Sequence, residues 1–257
     1  MRTNLPSPQS APLHVLGLGP GDASLLAPAA LRCLKDSTVI VGYRPYIDLL
    51  PDSLLRGKQV IATGMRAEVR RVEAAVQSAL NGLPTSLVCS GDPGIYALAG
   101  LTLEYLEKRG IHPDSLPLNI IPGIPALCAA AALLGAPLGH DFACVSLSDL
   151  LTPWEGIRRR LEAAFAADFV TVLYNPRSRR RTTQLAEAFA LAALHLPPST
   201  PVGIVRNAFR PRQHILISPL AACDPREADM FTLLVIGNSE TRLSPGARML
   251  TPRGYTL

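Results

Sequence analysis

Three stretches of this chain carry side chains whose types and spacing could do chemistry. In Ser90-Gly-Asp-Pro-Gly-Ile-Tyr, Asp92 follows a short apolar run. A carboxylate there can accept hydrogen bonds from sugar hydroxyls or pair with an ammonium. It can equally cap a following helix, with proline in the first helical position. The second stretch follows a run of small residues and holds His140, Asp141, Ser146, Ser148 and Asp149. A neighbouring histidine and aspartate suit acid–base work if their side chains meet. In the third, Leu-Tyr-Asn-Pro-Arg-Ser-Arg-Arg-Arg, Arg177 and Arg179 to Arg181 stand just before a predicted helix. Positive charge there opposes the helix dipole, so these arginines either meet a ligand's anions or lie in solvent. Arg206 and Arg210, flanking Asn-Ala-Phe, extend the same choice.

A fourth stretch, Val15 to Leu31, reads as strand, glycine turn and helix. A dinucleotide-binding turn needs glycine at its first, third and sixth positions. Here these are Gly17, Gly19 and Asp22, with Pro20 inside the turn. Proline offers no N–H to a phosphate, and a carboxylate repels one. The turn therefore suits close backbone approach to something other than a polyphosphate. Alternatively it is a plain strand-to-helix turn capped by Asp22 or Ser24.

These residues need elements to hold them. Buried-strand patterns at Leu-His-Val-Leu-Gly-Leu, Ser-Thr-Val-Ile-Val-Gly-Tyr, Thr-Ser-Leu-Val-Cys-Ser and Pro-Leu-Asn-Ile-Ile alternate with helical segments at 25–34, 67–81 and 95–109. This predicts an α/β domain over residues 13–122 with a largely parallel sheet. Helices are predicted over 124–134, 154–167 and 182–194, with strands at Phe-Ala-Cys-Val-Ser, Asp-Phe-Val-Thr-Val-Leu-Tyr and Pro-Val-Gly-Ile-Val-Arg. Two closely spaced strand patterns follow, Gln-His-Ile-Leu-Ile-Ser and Met-Phe-Thr-Leu-Leu-Val-Ile. The second α/β domain, 123–240, is therefore predicted to have a mixed sheet. Residues 1–12 and 241–257 are predicted as tails.

Composition narrows the class. Of 257 residues 48% are hydrophobic and 18% charged, which suits a globular chain. The five cysteines lie in apolar surroundings without metal-ligand spacing, so buried free thiols are expected and no metal site is. No apolar stretch is long enough for a membrane span, and the first residues do not form a secretory signal. The net charge of +5 suits an anionic partner. An aromatic content of 5% without a stacking motif argues against a nucleic-acid binder. Pro20 and Asp22 argue against an NAD-dependent oxidoreductase.

Taken in order, GLGPGDASLL, VGYRPY, SGDPGIYALA, IPGIPALCAAAALLGAPLGHDF, SLSDLLTPWE, YNPRS and GIVRNA closely resemble the tetrapyrrole methylase family over Leu13 to Gly237. GxGPGD and GDP are similar to the wider family. VGYRPY and the stretch from GHDF to LTPWE resemble one subfamily. The resemblance implies two αβα domains with a ligand cleft between them, a cytoplasmic location and a homodimer. It implies S-adenosylmethionine as cofactor, lined by Pro20, Gly91, Asp92, Gly94, Ile95, Tyr96, Pro125, Ala126, Asn175, Ala208 and Thr232. The family often carries Thr or Ser where this chain has Pro125, so backbone contact would serve there. The implied substrate is an anionic tetrapyrrole, with Arg177, Arg179, Arg206 and Arg210 toward its carboxylates. Asp22, Tyr43, Ser146 and Ser148 are the other expected substrate residues. The implied reaction is methyl transfer to a ring carbon with ring contraction, and His140 and Asp141 are the expected acid–base groups.

Overall fold

The computed structural model describes residues 10–256. Most of the tail expected at the amino terminus lies outside the described residues. The rest forms two compact units, divided between Ala126 and Leu127, a few residues beyond the boundary expected after Pro122.

The first unit is built on β1 (Leu13–Gly17), β2 (Val39–Tyr43), β3 (Gln59–Thr63), β4 (Thr85–Cys89) and β5 (Leu118–Ile121). All pair in parallel, in the order β3-β2-β4-β1-β5. The three central strands are apolar and buried nearly throughout, as both faces of a parallel sheet are covered. The edge strands β3 and β5 keep exposed positions. α1 (Pro28–Asp36), α2 (Arg44–Ile47) and α3 (Asp52–Leu55) cover one face through Ala30, Leu34, Ile47 and Leu54. α4 (Glu68–Leu80) and α5 (Leu98–Lys108) cover the other through Val72, Ala75, Val76, Leu98 and Leu106. Each such Val or Leu contributes about 1.5–3 kcal/mol by leaving water.

The second unit contains α6 (Ala126–Leu134, crossing the division by one residue), β6 (Gly135–Ala136), β7 (Phe142–Ser146), α7 (Trp154–Ala166), β8 (Val170–Tyr174), α8 (Gln184–Ala193), β9 (Pro201–Arg206), β10 (His214–Pro219), β11 (Thr232–Ile236), β12 (Arg242–Ser244) and β13 (Arg248–Leu250). Its main sheet runs β10-β9-β11-β8-β7. β7 and β8 are parallel and the other pairs antiparallel, the mixed sheet expected. Phe165, Leu161 and Phe189 of α7 and α8 pack on Val202, Ile204 and Leu234 of one face. On the other face, a Cβ at Gly203 would lie 2.4 Å from a Leu134 methyl and 2.9 Å from the Met249 sulfur. Only glycine lets α6 and β13 approach this closely.

Two expectations are corrected. Residues 241–257 are not simply a tail, since β12 and β13 form a hairpin that pairs in parallel with β6. The buried hydroxyls of Thr241 and Thr251 meet at 2.8 Å beneath it. The helix expected from Ile95 starts at Leu98, because Tyr96 takes a left-handed conformation (φ 50°) that ends the preceding turn. No helix among the described residues is long and apolar enough to cross a membrane.

Candidate active site

In the first unit, the loops after β1, β4 and β5 converge at the carboxyl end of the sheet. A Cβ on Gly17 would lie 2.3 Å from the Gly91 carbonyl oxygen and 2.8 Å from the Gly123 nitrogen. A Cβ on Gly123 would meet the same Gly91 oxygen at 2.3 Å. Gly19 (φ 68°) and Gly91 (φ 66°) exchange backbone hydrogen bonds, Gly91 N–H donating at 2.8 Å and Gly19 N–H at 3.2 Å. The connections leaving the neighbours β1 and β4 run in opposite directions across the sheet, to β2 and β5, over opposite faces. Open α/β sheets place ligands at such a point.

Asp92 ties these loops together. Its Oδ1 accepts the Gly94 N–H at 2.8 Å and its Oδ2 accepts the Gly123 N–H at 3.1 Å. It is not the cap of α5, which starts at Leu98. Each carboxylate oxygen keeps a lone pair for a ligand hydroxyl or ammonium. Asp22 caps a single 3-10 turn, accepting from Ser24 N–H at 2.8 Å and Ser24 Oγ–H at 2.7 Å. The Ser24 hydroxyl is the main cause that holds its carboxyl below the usual range. Pro20 is buried, Ile95, Pro125 and Ala126 are half-buried, and Tyr96 is exposed. Such a left-handed non-glycine residue costs free energy, and these residues concentrate at functional sites. Buried Cys89, one step before this loop, is pushed up to about 11 by burial. Tyr43 ends β2 at the same end of the sheet, meeting Tyr46 edge-on with ring centroids 5.1 Å apart.

In the second unit, register gathers residues far apart in sequence. Thr232, at the start of β11, pairs with Arg206 at the end of β9. β8 ends at Tyr174 beside Ser146 of β7. Ser146, Asn175, Arg206, Ala208 and Thr232 therefore share one end of this sheet. Asn175 (φ 51°) donates from Nδ2 to Ser146 Oγ at 2.9 Å, and Ser146 Oγ also accepts Ser148 N–H at 3.2 Å. Ala208 stands between left-handed Asn207 and Phe209. Thr232 is buried and its hydroxyl donates to Asp229 Oδ1 at 2.8 Å.

The arginine cluster splits in two. Arg181 is buried, donating from Nε to the Asn175 carbonyl at 2.9 Å and pairing with Asp149 at 3.8 Å. Burial lowers its pKa, and Asp149 opposes that shift. Gln184 Nε2 also donates to Asp149, at 2.9 Å. Arg181 thus shapes the loop after β8. Arg177, Arg179 and Arg206 form no ion pair among the described residues and remain available to an anion. Arg210 lies on the turn after Ala208, its N–H bonded to the Asn207 carbonyl.

His140 and Asp141 lie apart from this cluster. Their side chains do meet, Nδ1 to Oδ2 at 3.7 Å, but both are exposed. They precede β7, whereas Ser146 ends it. Five residues of strand separate the two by about 17 Å, so the pair is not brought to Ser146 and Asn175. The thiols are also less buried than expected: Cys89 is buried, Cys33, Cys144 and Cys223 half-buried, and Cys128 exposed on α6. Among the described residues no group of three or more histidine, cysteine or acidic side chains is placed to hold a metal.

Glycine-clamped loops at the carboxyl end of a parallel sheet stand where open α/β proteins place small ligands. The chain belongs to the tetrapyrrole (corrin/porphyrin) methylases, whose pattern matches residues 12–224. It is 44% identical over 245 residues to a probable cobalt-factor III C(17)-methyltransferase of Salmonella typhimurium, covering 95% of this chain and 100% of that protein. It is 43% identical over 232 residues to the precorrin-3B C(17)-methyltransferase of a Sinorhizobium species, covering 90% of each. The crystal structure of the methyltransferase CobJ superposes with a TM-score of 0.88 at 37% identity, over 95% of this chain and 100% of that one.

Proposed function

We propose that this protein transfers a methyl group from S-adenosylmethionine to carbon 17 of a precorrin-3B-type tetrapyrrole, metal-free or cobalt-containing, with contraction of the ring. The observation that carries this reading is the 44% identity over the full length of a relative named for that step. The relative named for the metal-free substrate, at 43%, supports the same chemistry.

The residues of the first unit fit the cofactor. Gly17 and Gly123 leave no room for a Cβ beside the Gly91 carbonyl, and Gly91 holds a left-handed conformation, so backbone can come close to a ligand. Pro20 withholds an N–H and Asp22 adds negative charge, which suits a ligand without phosphates. Asp92 has lone pairs for ribose hydroxyls or an ammonium. Gly94, Ile95, Tyr96, Pro125 and Ala126 would complete the lining on this unit; Asn175, Ala208 and Thr232 are the residues of the second unit that the resemblance implies for the cofactor. When bound, S-adenosylmethionine supplies an electrophilic methyl group on a sulfonium, open to in-line displacement by an electron-rich ring carbon.

The chain's part is positioning, which suffices for much of such a rate. No protein nucleophile is required. Arg177, Arg179, Arg206 and Arg210 would hold rim carboxylates through charge-assisted hydrogen bonds. Tyr43, Asp22, Ser146 and Ser148 would orient the macrocycle. The resemblance also supports a cytoplasmic homodimer, and light scattering of the purified protein tests the dimer. The function is tested by calorimetric titration with S-adenosylmethionine, followed by mass spectrometry of the tetrapyrrole. Binding without methyl transfer to either substrate form would remove the C(17) reading and leave the cofactor. Absence of binding would remove both.

A further inference from the structure

Arg71 lies early in α4, on the stripe that buries Val72, Ala75, Val76 and Ala79. It is only 4% exposed. Its Nε donates to Thr63 Oγ1 at 2.7 Å and its Nη2 to the Gly64 carbonyl at 3.0 Å. The guanidinium carbon stands 5.6 Å from the centre of the Tyr43 ring, within cation–π range. Tyr43 and Thr63 are register partners at the carboxyl ends of β2 and β3. The loops that hold Gly17, Gly91 and Gly123 leave this same end.

The charge of Arg71 is uncompensated. It forms no ion pair among the described residues. A buried guanidinium facing only neutral acceptors is costly to keep. No buried side-chain nitrogen among the described residues lacks a hydrogen-bond partner. Nη1 of Arg71 makes no such bond, so that atom is not fully sealed from solvent. A planar donor edge, fixed by two hydrogen bonds and an aromatic face, is preorganised for a carboxylate.

We propose that Arg71 is a substrate-binding residue whose free Nη1 edge receives one carboxylate of the tetrapyrrole, beside the Tyr43 ring that the guanidinium holds in place. This rests on the reading above that the substrate is a carboxylated tetrapyrrole. Arg177, Arg179, Arg206 and Arg210 of the second unit are exposed or half-buried, whereas this cation is fixed before the ligand arrives.

The test is absorbance titration of the tetrapyrrole, as free acid and as rim methyl ester, into wild type, R71Q and R71K. Calorimetry with S-adenosylmethionine runs alongside. Losing one charge-assisted hydrogen-bonded contact weakens free-acid binding roughly ten- to a hundredfold in R71Q. Affinity for S-adenosylmethionine stays unchanged, and the ester binds R71Q and wild type alike. Should R71Q fail to fold, R71K carries the test: it binds the free acid more weakly than wild type and the ester equally well. Equal free-acid affinity in wild type and variant, or equal losses for acid, ester and cofactor, overturns the proposal. Wild type that methylates the substrate while Arg71 variants bind normally overturns this inference alone. Wild type that binds no tetrapyrrole overturns the methyltransferase reading with it.

Discussion

Asp92 Oδ2 accepts the backbone N–H of Gly123 at 3.1 Å, joining two loops 31 residues apart. Its other oxygen holds Gly94, so one side chain sets the spacing of the loops around the candidate cofactor site. Removing it in D92A leaves two N–H groups without their partner and costs about 2 kcal/mol of stability. S-adenosylmethionine affinity should fall further than stability, because loop spacing is lost. D92N, keeping one acceptor, should fall between. Thermal unfolding and calorimetry check both, and equal affinity in D92A and wild type would remove Asp92 from the site.

The glycines at this crossing are a steric requirement. G17A and G123A each drive a methyl into the Gly91 carbonyl at 2.3 Å. Backbone must shift, so both variants should lose cofactor binding and several degrees of melting temperature. G100A is the control. Gly100 lies on α5 with nothing within 4 Å of an added Cβ, and alanine there should add about 0.5–1 kcal/mol. Unfolding curves of the three variants decide it.

His140 and Asp141 stand at the end of β7 away from Ser146. The double variant H140A/D141A should therefore keep wild-type turnover. A working acid–base pair would instead cost about 10²–10⁴-fold in rate. Steady-state kinetics of the double variant distinguishes the two.

The sequence pattern exposed some of this arrangement and hid the rest, for physical reasons. β1, β2 and β4 are mostly apolar runs, with His14, Thr85 and Ser86 among them, because both sheet faces are covered. β3 is a half-exposed edge strand of mixed polarity, and β6, β12 and β13 have two or three residues each. Such elements carry too little periodicity to stand out. Asp92 was legible as a carboxylate at a strand end, but its second partner comes from a distant loop. Arg181 looked like its neighbours and differs only because the fold buries it. Arg71 did carry a signal: it lies four residues before Ala75 and eight before Ala79, on the buried stripe of α4. A cation there needed an explanation that only the Tyr43 geometry supplied.

Thiol chemistry should follow burial. Cys89 and Cys223 are both pushed up to about 11 by burial, and Cys128 is exposed. Iodoacetamide near neutral pH should modify Cys128 first and leave Cys89 intact until unfolding. Peptide mass spectrometry over time gives the order, and early labelling of Cys89 would contradict this burial.

His14, half-buried on β1, has its pKa lowered from 6.5 by burial, with Asp36 opposing. Its Nδ1 stands 3.3 Å from Asn119 Nδ2, which suits a neutral ring. The unfolded chain then binds a proton more readily than the native one. His14 stability is present above pH 6.5 and lost as pH falls through the lower native value. H14Q should flatten that acid-side decline in melting temperature, and an identical slope in the variant would contradict the assignment.

Methyl transfer to a corrin precursor is checked by mass spectrometry of the tetrapyrrole. Pure protein is incubated with S-adenosylmethionine carrying an isotope-labelled methyl group and with metal-free or cobalt-containing substrate. One labelled methyl is expected on at least one form, located at carbon 17 by NMR, the position for which the relatives are named. No label on either substrate, or label at another ring carbon, would contradict it.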